Sequence, residues 1–222
     1  MGAKTCLVAQ SEGDARGILV GYPAPDEAAT ARLVASLFPG TSFGEPRPSA
    51  LWDTYVSEKS VFAGCFPGLS IVVAGEVAVD RPSELSSRFI AKKGTTVLHA
   101  MHSVVDWFAF AVWQDGRLVR SLSVAPDNGV IEDIGEPLAF EKPYWGGQLP
   151  AVDPDEEPDG YPLPFHPLEL GEEALREFFG FQIEGFHDGT LLEPDRIRML
   201  RFNEDASNST AAQGKKAWWK FW

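Results

Sequence analysis

The chain has 222 residues, of which 44% are hydrophobic and 23% charged, with a formal net charge of −13. That composition suits a globular protein with a substantial core and excludes wholesale disorder. Lys215, Lys216 and Lys220 hold three of the 19 basic residues, so the preceding chain sets 16 basic against 32 acidic residues, a balance that repels phosphate backbones and excludes nucleic-acid binding by the body.

In chain order, "AKTCLVAQ" reads as a first strand, and the apolar run "GILVGYP" (17–23) as its hairpin partner. "PDEAATARLVASLFPG" reads as a helix: Asp26 caps it, Leu33, Val34, Leu37 and Phe38 form one face, and Pro39-Gly40 stops it. "SVFAGCF" and "LSIVVAGEVAV" are strand-like around Pro67-Gly68. "DRPSELSSRFIAKKG" carries helix signals, with Leu85 and Phe89 on one face and Lys92, Lys93 and Gly94 at a favourable end.

The centre of the sequence is its most apolar part. Trp107, Ala109, Ala111 and Trp113 alternate with Phe108, Phe110 and Val112, so both faces of this strand are apolar and it belongs inside a sheet covered on both sides. Asp115-Gly116 is a two-residue turn leading to the partner strand of Leu118, Val119, Leu122 and Val124. Seven prolines between 143 and 167 interrupt regular structure there. "LGEEALREFFGF" gives a third helix stopped by Gly180, and "DRIRMLRFN" a last strand. The expected fold class is α+β: a single domain over 1–202 with a mainly antiparallel sheet, about three helices and a long Pro-rich segment. The alternative is two subdomains divided within 40–60.

No nucleophile elbow, phosphate-cradling loop or dinucleotide fingerprint is present. "HAMH" places His99 and His102 three apart with Asp106 four further on, which on a helix would share one face and could bind a metal. The surrounding residues favour a strand, where a spacing of three means opposite faces. Ser103, His102 and Asp106 on that strand cannot converge as a triad. The acidic run "DPDEEPDG" (153–160) fails as a calcium loop, because His166 stands where a bidentate Glu is needed and prolines interrupt it. If the protein is an enzyme, His99, His102, Asp106 and His166 around the Pro-rich segment are the candidate residues; no cofactor is implied. Cys6 and Cys65 both lie beside apolar residues and read as reduced thiols. "MGAKTC" has no apolar stretch behind it and no Ser or Thr at position 6, so neither a secretory leader nor a myristoylation start is read there.

The C-terminal "KKAWWKFW" contrasts with this acidic body: three of the 7 tryptophans fall within it. Residues 203–214 are small and polar and read as a flexible linker. Lys215, Lys216, Trp218, Trp219, Lys220, Phe221 and Trp222 then form a basic aromatic segment suited to a protein groove or an anionic membrane surface, since Trp favours hot spots and membrane interfaces and Lys meets anionic lipid. Eight residues cannot span a bilayer. The remaining use is packing on the chain's own surface. A non-enzymatic binding module is the first reading.

The segments "MGAKT", "RPSEL", "MHSVVDWFAFAVW", "GRLVRSLSV", "IGEPLAFEKPYWGG" and "YPLPFHPLELGEEAL" resemble a family of uncharacterised actinobacterial proteins over roughly residues 1–186. The resemblance implies a bacterial, cytoplasmic protein and assigns no catalytic residue.

Overall fold

The computed structural model describes residues 4–53, 59–152, 161–185 and 189–205. Their centre is one nine-stranded sheet in which every pairing is antiparallel. In chain order the elements are β1 (Lys4–Ser11), α1 (Ala15–Leu19), α2 (Glu27–Leu37), β2 (Arg47–Ala50), β3 (Ser60–Phe66), β4 (Leu69–Val73), β5 (Thr95–His102), β6 (Trp107–Gln114), β7 (Arg117–Ala125), β8 (Gly129–Ile134), α3 (Lys142–Trp145), α4 (Pro167–Phe179) and β9 (Arg198–Asn203). The spatial order is β2-β9-β3-β4-β1-β5-β6-β7-β8. Segments from both sides of residues 40–60 join this one sheet, so no division falls there. Sheet dominates helix more than the sequence suggests: the four α-helices among the described residues include only two longer than five residues.

The apolar strand behaves as its pattern requires. Trp107, Phe108, Phe110 and Trp113 are buried, and β6 lies inside the sheet between β5 and β7. Asp115 and Gly116 both adopt positive φ (50° and 77°), the conformation of a tight hairpin turn whose twist matches the strands it joins. Alternation assigns the faces. Leu7, His99, Phe108 and Phe110 share the face covered by α4, whose Gly171 approaches so closely that a Cβ there would lie 3.0 Å from Phe108 Cδ2. Trp107, Ser121 and Glu132 share the other face, where a 3-10 turn at Pro82–Glu84 packs on β6 and β7. The end of α2 also joins that side, through edge-to-face contacts of Phe38 with Phe43 and Phe89 and of Phe43 with Phe202.

Four local expectations are corrected. Residues 17–23 are not a strand: Ala15–Leu19 form a short helix capped by Asp14, and β1 pairs instead with β4 and β5. Residues 80–94 are not a continuous helix. They form 3-10 turns at Pro82–Glu84 and Ser87–Phe89, because side chains from the sheet hold their backbone: Glu132 accepts from Ser83 N (2.9 Å), and Gln10 Nε2 donates to Phe89 O (2.8 Å). The Pro-rich stretch is less irregular than composition implies, since Pro143 lies in the first turn of α3 and Pro167 opens α4, where a missing N–H costs nothing. Residues 203–205, assigned from composition to a linker, belong to the end of the sheet: Asn203 closes β9, Glu204 bridges to Phe43, and Asp205 N donates to Ser42 O (3.0 Å). The acidic run 153–160, His187 and the segment 215–222 lie outside the described residues. No helix among the described residues is long and apolar enough to cross a membrane.

Candidate functional site

β5, the turn after it and the N-terminus of α4 place the sequence-derived candidates, in three different environments. His99 is fully buried on the α4 face. Its Nε2 lies 2.9 Å from Gly171 O and its Nδ1 2.7 Å from Thr5 Oγ1. A carbonyl can only accept, so Nε2 carries the proton and Nδ1 accepts from the threonine hydroxyl. Burial, partly offset by the Gly171 bond, lowers the His99 pKa to about 4. This is a neutral imidazole that fastens β5 to α4 and β1.

His102 points to the opposite face, as its spacing from His99 demands. Its Nδ1 accepts from Val104 N (3.3 Å), and its pKa is lowered by burial and then by the charge of Lys4. Asp106 closes the β5–β6 turn with φ of 47°, the left-handed conformation that Asp adopts more readily than most residues. Its carboxylate lies 3.7 Å from His166 Nε2.

His166 is the N-cap of α4: its Nδ1 accepts from Leu168 N (3.3 Å), and its ring stacks on Tyr161 with centroids 5.6 Å apart. The hydroxyl of Tyr161 is buried without a partner among the described residues, and burial followed by the charges of Asp106 and Asp127 pushes its pKa up to about 12. The structure therefore joins two of the four candidates, Asp106 and His166, and keeps His99 apart. Nδ1 of His166 accepts a backbone N–H, while its Nε2 lies at ion-pair rather than hydrogen-bond distance from the Asp106 carboxylate. Among the described residues no group of three or more His, Cys, Asp or Glu is placed to hold a metal ion. Neither Cys6 nor Cys65 forms a disulfide among the described residues.

Sequence reasoning missed two features. One is a buried ionic network. Arg120 on β7 meets Glu141 through two parallel hydrogen bonds (Nε–Oε1 2.9 Å, Nη2–Oε2 2.6 Å) and also pairs with Asp133 on β8. Glu141 accepts in addition from Leu138 N (2.7 Å), so the network anchors the 135–147 loop to the sheet. Arg120 lies in "GRLVRSLSV" and Glu141 in "IGEPLAFEKPYWGG". An arginine inside the strand-like run "RLVRSLSV" was the available signal, but its partner 21 residues away was not.

The other is a cleft of about 390 Å³ on the α4 face, at the Ser11 and Thr95 ends of β1 and β5. Its floor is Ala9 and Val97, Phe140 and Phe178 form a wall, and Asp14 and Glu177 stand among its lining. Phe140 and Phe178 meet edge to face at 5.6 Å. The size falls in the range of about 300–1,000 Å³ usual for small-molecule sites.

These features define a class: an antiparallel-sheet protein with layers on both faces, its titratable candidates tied into the fold, and an open cleft that is apolar and acid-lined. The chain belongs to a family of unknown function, DUF6928, whose model matches residues 5–202. Comparison with curated proteins and with solved structures gave no match.

Proposed function

We propose that this protein is a non-catalytic interaction module of a bacterial cytoplasm, in which residues 215–222 form the recognition element. The observation that carries this reading is that both ring nitrogens of His99 are hydrogen-bonded within the chain and Nδ1 of His166 caps α4. Those imidazoles serve the fold: His99 ties β5 to α4 and β1, and His166 caps α4. The recognition role falls to the one segment whose charge opposes that of the body. With Asp205 tied to Ser42, the nine residues 206–214 give a spacer of about 16 Å r.m.s. if they behave as a flexible chain. That exceeds the Debye length of about 8 Å, so the basic segment acts apart from the acidic surface.

The partner reading takes a protein groove that accepts Trp218, Trp219 and Trp222. The membrane reading takes an anionic surface, where three lysines supply about 3 kcal/mol at most. Deleting 215–222 tests both. The melting temperature stays within about a degree, while co-sedimentation with anionic vesicles, or with a partner isolated through the full chain, is lost. A fall of several degrees with no change in association means that the segment packs on its own domain, and the proposal fails.

A second reading, an enzyme with a histidine–carboxylate site, has one observation in its favour: the Asp106–His166 pair is partly exposed beside the buried Tyr161 hydroxyl. It requires His166→Ala to abolish a turnover that His166→Asn, which retains a helix-capping side chain, does not restore.

A further inference from the structure

The cleft beside the end of α4 has an electrostatic bias that its apolar walls amplify. The ionisable side chains lining it are Asp14 and Glu177, both carboxylates. Neither makes an ion pair among the described residues: Asp14 accepts only a backbone N–H, from Arg16 (3.1 Å), and Arg176, one residue before Glu177, pairs with Glu173 instead. Arg16 lays its stem against Gly180 and does not line the cleft. Phe178 and Phe179 are the last residues of α4, so the negative end of that helix dipole adds to the same field.

The neutral groups favour the same charge. Thr95 Oγ1 donates its proton to Gln114 Oε1 (2.9 Å), which leaves its lone pairs as acceptors, and the lining includes two aromatic rings, Phe140 and Phe178, a residue type that attracts cations. An ammonium group brings only donors to this lining, whereas an anion would meet two carboxylates. We propose that the cleft binds a small organic cation, an ammonium group carrying a compact apolar or aromatic body. The apolar part rests on Ala9 and Val97 between the phenylalanines, and the charge sits at Asp14 and Glu177. This site is separate from the C-terminal segment and needs nothing from it.

The test uses the full chain and phenethylammonium as probe, with 2-phenylethanol as its neutral counterpart, titrated at neutral pH and low salt by calorimetry or protein-observed NMR. The expected result is saturable binding of the ammonium, at least about tenfold tighter than the alcohol. Glu177→Gln and Asp14→Asn should each weaken binding about three- to tenfold, with α1 retained in the second because Asn also caps helices. A variant lacking 215–222 should bind equally well, so the cleft and the recognition segment are scored independently. Three results overturn the assignment: no saturable binding, equal affinity for the alcohol, or unchanged affinity in the doubly substituted protein. If the probe binds only after 215–222 is removed, the chain's own lysine- and tryptophan-rich segment is the occupant and the small-molecule assignment falls.

Discussion

Arg120 and Glu141 face one another through two parallel hydrogen bonds where neither side chain reaches solvent. Each charge offsets the cost of burying the other, with Asp133 as a second partner of Arg120. Arg120→Ala or Glu141→Ala should therefore cost about 3–5 kcal/mol in chemical denaturation. In a double-mutant cycle the paired variant should lose less than the sum of the single losses, with a coupling of up to about 3 kcal/mol. Purely additive losses would mean that the pairing contributes nothing of its own.

His99 makes stability depend on acid. Its folded pKa of about 4 lies below the ordinary value of 6.5. The unfolded chain therefore takes up a proton that the folded chain refuses, and the contribution is full above pH 6.5 and lost as pH falls through 4. The difference is on the order of 3 kcal/mol. His99→Gln should flatten this part of the profile, measured as the change in unfolding free energy between pH 7 and pH 4. An unchanged slope would remove His99 as its source.

Glu172 acts in the opposite sense. Burial, opposed by hydrogen bonds from Ile183 N (2.7 Å) and Glu184 N (3.0 Å), raises its pKa from 4.5 to about 7. A carboxyl with a raised folded pKa contributes most below its unfolded value, and that stability is lost as pH rises through 7. Glu172→Gln should make the protein less sensitive to pH between 5 and 8, with the gain over the parent appearing at the alkaline end. Equal slopes in the two proteins would refute this role.

The sequence announced those elements whose causes are local. Asp115-Gly116 needs only its own φ preference, the two-faced apolar pattern of 107–113 needs only an interior strand, and Asp26 caps α2 through Ala29 N three residues away. The failures have distant causes. Leu85 and Phe89 are spaced as on a helix, but Glu132 holds Ser83 from 49 residues away and bends the segment into short turns. The run 17–23 is apolar enough for a strand, yet Asp14 caps Ala15–Leu19 and both end residues of that helix are buried. The candidate site divides in the same way. The opposite facing of His99 and His102 follows from strand period, whereas the tie from His99 to Gly171 spans 72 residues and could not be read. Nothing in the order of residues signalled that Asp14 and Glu177 line one cleft.

The strand order also constrains how this sheet can be assembled. β5 to β8 are sequential hairpins and can pair as they leave the ribosome, each with the strand just made. β1 cannot: its two neighbours, β4 and β5, are both synthesised after it, so the first strand of the chain must wait for residues as far as 102. At the other extreme β9, the last of the described strands in chain order, is inserted between β2 and β3. Until it arrives β2 has no strand beside it, and a nascent chain halted before residue 198 carries a sheet with an open slot at Val61 and Ala63. Completion of the sheet is thereby coupled to synthesis of residues 198–203, and products truncated before them bear an unpaired strand edge open to pairing with other chains.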